Sequence, residues 1–262
     1  MKLCSIASSS SGNCIYVGNE DTGILIDAGI SKKRIVDGLN QRELDIEKVR
    51  AILVTHEHTD HIQGLGVMAR GYGIPIYSTV ETINSILRNK TMGKIPLELL
   101  NPIEPDKDFN VDDLIVHPFS MSHDAANPVC YTVSDKESKV CVLTDIGVYN
   151  DYIIENMKES SIILVEANHD VKMLEVGPYN YLLKQRILGN MGHLSNENCA
   201  KLICEIASDK LKHIVLGHLS QENNYPQLAY ETVKMIINEY DLLNKVSLTV
   251  ASKDIPSEIL IA

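Results

Sequence analysis

Residues 55–61 read Thr-His-Glu-His-Thr-Asp-His, so His56, His58, Asp60 and His61 fall within six positions. Imidazoles and a carboxylate this close together are the donor types of a transition-metal site. The run follows the apolar stretch 51–54, which reads as a buried strand. On an extended chain residues i and i+2 point the same way, so His56 and His58 can grip one ion together. A turn beyond them carries Asp60 and His61 toward a second position. A polar loop between a strand and a helix would rarely assemble these four side chains by chance.

Two ions need donors from elsewhere, and other apolar runs end in them. His123 follows the strand expected at 113–119, Asp145 directly follows Val-Cys-Val-Leu-Thr, and His218 directly follows His-Ile-Val-Leu-Gly. Strand ends are where a sheet delivers side chains to a shared edge. The expected partition puts His56, His58 and His123 on one ion and Asp60, His61 and His218 on the other, with Asp145 bridging. Imidazole and carboxylate with open positions suit Zn²⁺, Mn²⁺ or Fe²⁺, and the donor list does not choose among them. Two such ions, about 3.5–4 Å apart, clamp a phosphate oxygen and lower the pKa of a bound water toward about 7. The reaction class is therefore hydrolysis by a metal-activated hydroxide, with Asp60 also orienting the nucleophile.

The elements that must carry these residues read as strands first, then strands alternating with helices. Strands are expected at 2–7, 13–17, 23–27, 51–55, 75–78, 113–119, 128–134, 139–144, 161–166, 213–217 and 245–250. Helices are expected at 31–40, 63–72, 80–89, 149–158, 179–188, 195–207 and 226–239, with Ser31 and Ser195 as N-caps. Two sets of strands, each followed by helices, predict an α+β sandwich of two mixed sheets with helices outside. The halves are expected to meet near residue 145. No linker marks the join, so residues 1–262 read as one domain.

Bulk properties exclude several classes. The net charge of −11 argues against a surface coated for nucleic acid, though bound metals would place positive charge at the site itself. No apolar window of about 18 residues exists, so no membrane span is expected. The N-terminal MKLCSIASSSSGNC is a poor signal peptide. The six cysteines form no CxxC pair, and the chain reads as cytoplasmic with reduced thiols.

Leu-Ile-Asp-Ala-Gly around Asp27, the histidine cluster, His123, Asp145 and His218 resemble, in order, the motifs of the metallo-β-lactamase superfamily. The match spans most of the chain and implies a four-layer αββα sandwich. Within it, SSSSGNC, EANHD, GHLSN and LGHLSQENN are similar to the YycJ/WalJ group, which implies a cytoplasmic exodeoxyribonuclease with DNA as substrate. The resemblance further implies that His193 is the general acid. A histidine beside cations needs an anionic partner to stay protonated, and Glu166, ending Ile-Ile-Leu-Val-Glu, is the candidate. By the same resemblance Asp27 supports the metal histidines without binding metal.

Other residues stay open between two roles. His169 and Asp170 either touch substrate or position Glu166 and His193, or they shape a local turn. Ser10, Ser11 and Asn13 could donate to a phosphate or form an ordinary hairpin loop. Ser220, Asn223 and Asn224 are further polar candidates, while His117 and His213 read as structural. The leading function is a dinuclear phosphodiesterase acting on DNA from a 5′ end. The alternative is a phosphodiesterase for RNA or a small cyclic nucleotide; a thioester hydrolase or a non-catalytic metal-binding regulator ranks lower. With two Phe and no Trp, little ring stacking on a strand is expected. The 94 residues between His123 and His218 leave no room for an inserted cap domain. Substrate must be gripped by loops or by a second subunit, which leaves a homo-oligomer open.

Overall fold

The computed structural model describes residues 1–262 and arranges them around two seven-stranded sheets. In spatial order the first sheet is β14 (Leu260–Ile261), β1 (Lys2–Ala7), β2 (Cys14–Gly18), β3 (Gly23–Ile26), β4 (Val49–Leu53), β5 (Ile76–Thr79) and β6 (Leu100–Ile103). The second is β13 (Ser247–Val250), β12 (His213–Gly217), β11 (Ile162–Glu166), β10 (Lys139–Leu143), β9 (Val129–Ser134), β8 (Leu114–Ser120) and β7 (Phe109–Val111).

Each sheet is built the same way. An antiparallel meander comes first, then parallel strands that need crossover helices. In the first sheet β3 to β6 run parallel, linked by α1 (Lys32–Gln41), α2 (Thr59–Ile62), α3 (Leu65–Tyr72) and α4 (Val80–Arg88). In the second, β10 to β13 run parallel. Their crossovers are α5 (Asp151–Met157), α6 (Val171–Val176), α7 (Tyr181–Leu188), α8 (Asn196–Ile206) and α9 (Pro226–Asn238).

Side-chain alternation decides the layers. Ile24 and Ile26 of β3 and Val140 and Val142 of β10 belong to one apolar layer between the sheets. Leu25 faces the other way, with Ile35 of α1 and Met68 of α3, while Cys141 and Leu143 meet Leu202 of α8 and Val233 of α9. Three apolar layers separate four structural layers, which is the αββα sandwich expected from the sequence. Across the central layer, the buried Tyr131 hydroxyl on β9 donates to the Val54 carbonyl just past β4, at 2.9 Å.

The expected elements are present, with corrections. The halves part between Ile103 and Phe109, not near residue 145. The strands 114–143 all lie in the second sheet, and the chain changes sheets in a short turn with no compositional mark. β6, β7, β14, α2 and α6 were not expected. All are short, and β6 carries Pro102 at an edge of its sheet, where a missing N–H is tolerated.

Candidate metal centre

The parallel strands of both sheets end at a common edge. β3 ends before Asp27, β4 before His56, β10 before Asp145, β12 at Gly217 before His218, and β11 in Glu166 itself. Three of these residues have left-handed backbone: Asp27 at φ 61°, Asp145 at φ 59° and His218 at φ 54°. Non-glycine residues rarely adopt this region, and Asp and His are among those that do. Each such twist ends a strand and redirects the next side chain. Gly29 serves the same edge, because a Cβ there would lie 1.6 Å from the Asp60 carbonyl oxygen.

The seven residues singled out from the sequence as ligands converge. His56, His58 and His123 form one group and Asp60, His61 and His218 another, with ligand atoms in each within 4.8 Å of one another. Asp145 lies between them. Its Oδ2 is 3.0 Å from His61 Nε2 and 3.4 Å from His218 Nε2, and its Oδ1 is 3.6 Å from His123 Nε2. Asp60 Oδ2 is 3.3 Å from both His61 Nε2 and His218 Nε2.

The far side of each ring fixes which nitrogen faces inward. Asp27 Oδ2 accepts from His61 Nδ1 at 2.7 Å, Glu166 Oε1 from His218 Nδ1 at 2.7 Å, and the Gly192 carbonyl from His123 Nδ1 at 3.3 Å. Thr55 Oγ1 donates to Asp27 and sits 3.0 Å from His56 Nδ1. Nε2 of all four rings thereby faces the site. Two of the inward atoms, His56 Nε2 and Asp145 Oδ2, are buried with no hydrogen-bond partner. Buried polar atoms left this way are costly unless something binds them.

Electrostatics agree. Burial opposes charge on His61 and His218, yet the neighbouring carboxylates override it, raising His61 well above the ordinary histidine range and His218 to about 10. Burial keeps His56 and His123 low. Asp60 and the buried Asp145 and Glu166 thus draw positive charge into the cleft, the charge that divalent cations would supply. The donor set fits such ions.

Glu166, fully buried, holds more than one partner. Its Oε1 accepts from His193 Nδ1 at 2.8 Å as well as from His218, and its Oε2 accepts the N–H groups of Ile146 and Leu194. Burial would raise its pKa, but His193 and His218 hold it near 2. His193 is correspondingly held above its ordinary value by Glu166 and Asp145, against burial.

The remaining candidates divide. Ser10 and Ser220 line the metal cleft, a cavity of about 230 Å³. Asn13 instead braces it: its Nδ2 is 3.3 Å from His61 Nε2, and its backbone N–H donates to the Asp60 carbonyl. Ser11 is exposed and pairs with Ser9. Asp170 caps α6 by accepting from Met173 N at 2.8 Å, the local role, and Asn223 is fully buried beneath its loop. His169 is buried with neither ring nitrogen bonded, and burial depresses it to about 4. His117 and His213 bond to Asp108 and Ser247, away from the cleft.

Sequence reasoning missed Tyr179 and Arg186, which line the cleft from α7 and the turn before it. Arg186 is the one arginine or lysine in that lining, and its guanidinium grips Asp124 with two hydrogen bonds. Tyr179 lies at the cleft, and Tyr181 and Tyr225 are exposed elsewhere on the surface. No spacing rule pointed to these residues, since only the path of the chain brings α7 over the metal ligands.

Comparison with known proteins adds the following. A family model described as "Beta-lactamase superfamily domain" matches residues 22–218. Exodeoxyribonuclease YycJ of Bacillus anthracis is 39% identical over 236 residues, 89% of this chain and 88% of that protein. Exodeoxyribonuclease WalJ of Streptococcus pneumoniae is 38% identical over 241 residues, 92% of this chain and 90% of that protein. Among solved structures, the metallo-beta-lactamase fold protein YhfI of Bacillus subtilis superposes with a TM-score of 0.69 at 15% identity, covering 98% of this chain and 99% of that one.

Proposed function

The chain belongs to the beta-lactamase superfamily and, within it, to the group of the YycJ and WalJ exodeoxyribonucleases, and from that premise we propose that it is a metal-dependent exodeoxyribonuclease acting from the 5′ end. The observation that carries the reading is the convergence of the seven candidate ligands beside an imidazole held by a buried carboxylate. Divalent-metal use accords with the fold and the His/Asp clusters. We assign two ions: His56, His58 and His123 would hold one, Asp60, His61 and His218 the other, and Asp145 both. When bound, such ions acidify water and neutralise charge on a phosphate oxygen, which is worth several kcal/mol.

The chain's own residues supply the rest. Asp60, at the mouth of the cleft, orients the attacking water. Arg186, paired with Asp124, is the cleft's guanidinium and suits a phosphate once released from that partner. His193 stays protonated because Glu166 holds its Nδ1, so Nε2–H is free to protonate the leaving oxygen. Glu166 also aligns His218, so one carboxylate sets both the acid and a ligand. Tyr181 exposes most of its surface on α7, the helix that borders the cleft, and suits stacking with a base of a single strand. Six unpaired cysteines accord with a cytoplasmic location, and no helix is long and apolar enough to cross a membrane.

The test is digestion of end-labelled DNA oligonucleotides, with 5′-phosphate or 5′-hydroxyl ends, by metal-free protein reloaded with Mn²⁺ or Zn²⁺. Progressive shortening from the 5′ end, lost in Asp60→Ala and His193→Ala, is expected. Turnover of bis-p-nitrophenyl phosphate without DNA cleavage would move the substrate to RNA or a small nucleotide.

A further inference from the structure

A second cavity, about 520 Å³, adjoins the metal cleft and is more than twice its size. The two share Ser220, and the serine loop spans them, with Ser10 on the cleft and Ser8 and Ser9 on the second cavity. The volume lies in the range of small-molecule sites, roughly 300–1,000 Å³. On the far side the cavity is backed by Val250 and Ala251 at the end of β13 and by Pro226 at the start of α9.

The lining indicates which chemistry it takes. Ser8, Ser9 and Ser252 line it together with Tyr225, which is 51% exposed. That ring sits on a rigid support. Asn224, buried beside it, donates to the Ala167 and Asn168 carbonyls and accepts the Tyr225 N–H at 3.0 Å. Three charged groups line the cavity, Lys253, Glu222 and Asp254, and Asp254 is engaged by Arg34 at 3.7 Å. The remaining cation and anion offset each other. A near-neutral cavity with one exposed ring suits a base and its sugar, not a terminal phosphate.

We propose that this cavity receives the terminal nucleoside of the DNA strand, stacked on Tyr225, so that the metal centre meets the first phosphodiester and not an internal one. The assignment rests on the exodeoxyribonuclease reading and places a strand end, held beside the cleft, with its first phosphodiester at the metal ligands.

The chain contains no tryptophan, so Tyr225→Trp introduces a sole indole at the rim. Its emission is titrated with phosphorothioate-linked oligothymidine, which resists hydrolysis, as a linear strand and ligated into a circle. Quenching by the linear strand at tenfold or more lower concentration than by the circle is expected, with thymidine alone quenching the emission as well. In parallel, thymidine is expected to inhibit wild-type digestion competitively, and more strongly than thymidine 5′-phosphate. Equal quenching by both forms, or none by the linear strand, overturns the proposal. Wild-type digestion of unmodified DNA tests the underlying reading separately. No digestion with end-dependent quenching removes the nuclease and keeps a nucleoside site, while digestion without it removes the site and keeps the nuclease.

Discussion

The two sheets furnish the site in opposite ways. The first supplies His56, His58, Asp60 and His61 from a single loop, braced by Asp27 at the neighbouring strand end. The second supplies Asp145, Glu166 and His218 from the ends of three strands, and His123 and His193 from loops. A loop cluster is shaped by its own turn. A set drawn from separate strands depends on register, here Leu143 opposite Val165 and Glu166 opposite Gly217. Slipping one residue would turn Glu166 to the opposite face. Packing and chemistry are therefore coupled more tightly in the second sheet than in the first.

Substitutions can break or sharpen that contrast. The largest effect is expected for Asp145→Asn, since Asp145 faces both ligand groups. Loss of several kcal/mol, roughly a thousandfold in kcat/KM for bis-p-nitrophenyl phosphate, should accompany a lower metal content by atomic emission. Glu166→Gln should follow, with kcat down about a hundredfold because acid and ligand both lose their anchor. Asp27→Asn, its counterpart in the first sheet, anchors only one ring and should cost about tenfold in metal affinity or activity. If Asp27→Asn proved as damaging as Glu166→Gln, the asymmetry between the sheets would fail.

Stability offers two smaller tests. His169 lies in the second sheet's loop and is depressed from 6.5 to about 4 in the fold. Below 6.5 the unfolded chain takes up a proton that the folded chain refuses, so stability falls with pH until about 4. His169→Phe removes this loss. The variant should gain up to roughly 2 kcal/mol on wild type near pH 5 in urea unfolding, relative to the difference near pH 7. Tyr131→Phe should cost only about 1 kcal/mol, because Ser78 Oγ still donates to the Val54 carbonyl.

How legible each part was follows from the same contrast. The loop cluster announced itself because its donors are contiguous, and Asp145 and His218 did so because each directly follows an apolar run. The layers followed from alternation such as Val140 to Leu143. β6, β7 and β14 were hidden because each is at most four residues long and lies toward the edge of a sheet. The change of sheet at 103–109 was hidden because strands on both sides of it look alike. Arg186 and Tyr179 were invisible because nothing local distinguishes a cationic or aromatic residue above a metal site from one facing solvent. The second cavity was hidden for the same reason, being made from three segments spread from Ser8 to Asp254.

One hydrogen bond links the ends of this arrangement: the His218 backbone N–H donates to Ser8 Oγ at 2.9 Å, across 210 residues of sequence. On the ribosome the loop cluster emerges long before its partner. At about 5–20 residues per second, the interval between His61 and His218 is roughly ten to thirty seconds. Throughout it the nascent chain holds Ser8 and the loop cluster but lacks His218, the ligand that Ser8 will seat. The order of synthesis thus acts as a timer, keeping a DNA-cutting centre incomplete until the chain that confines it has been made.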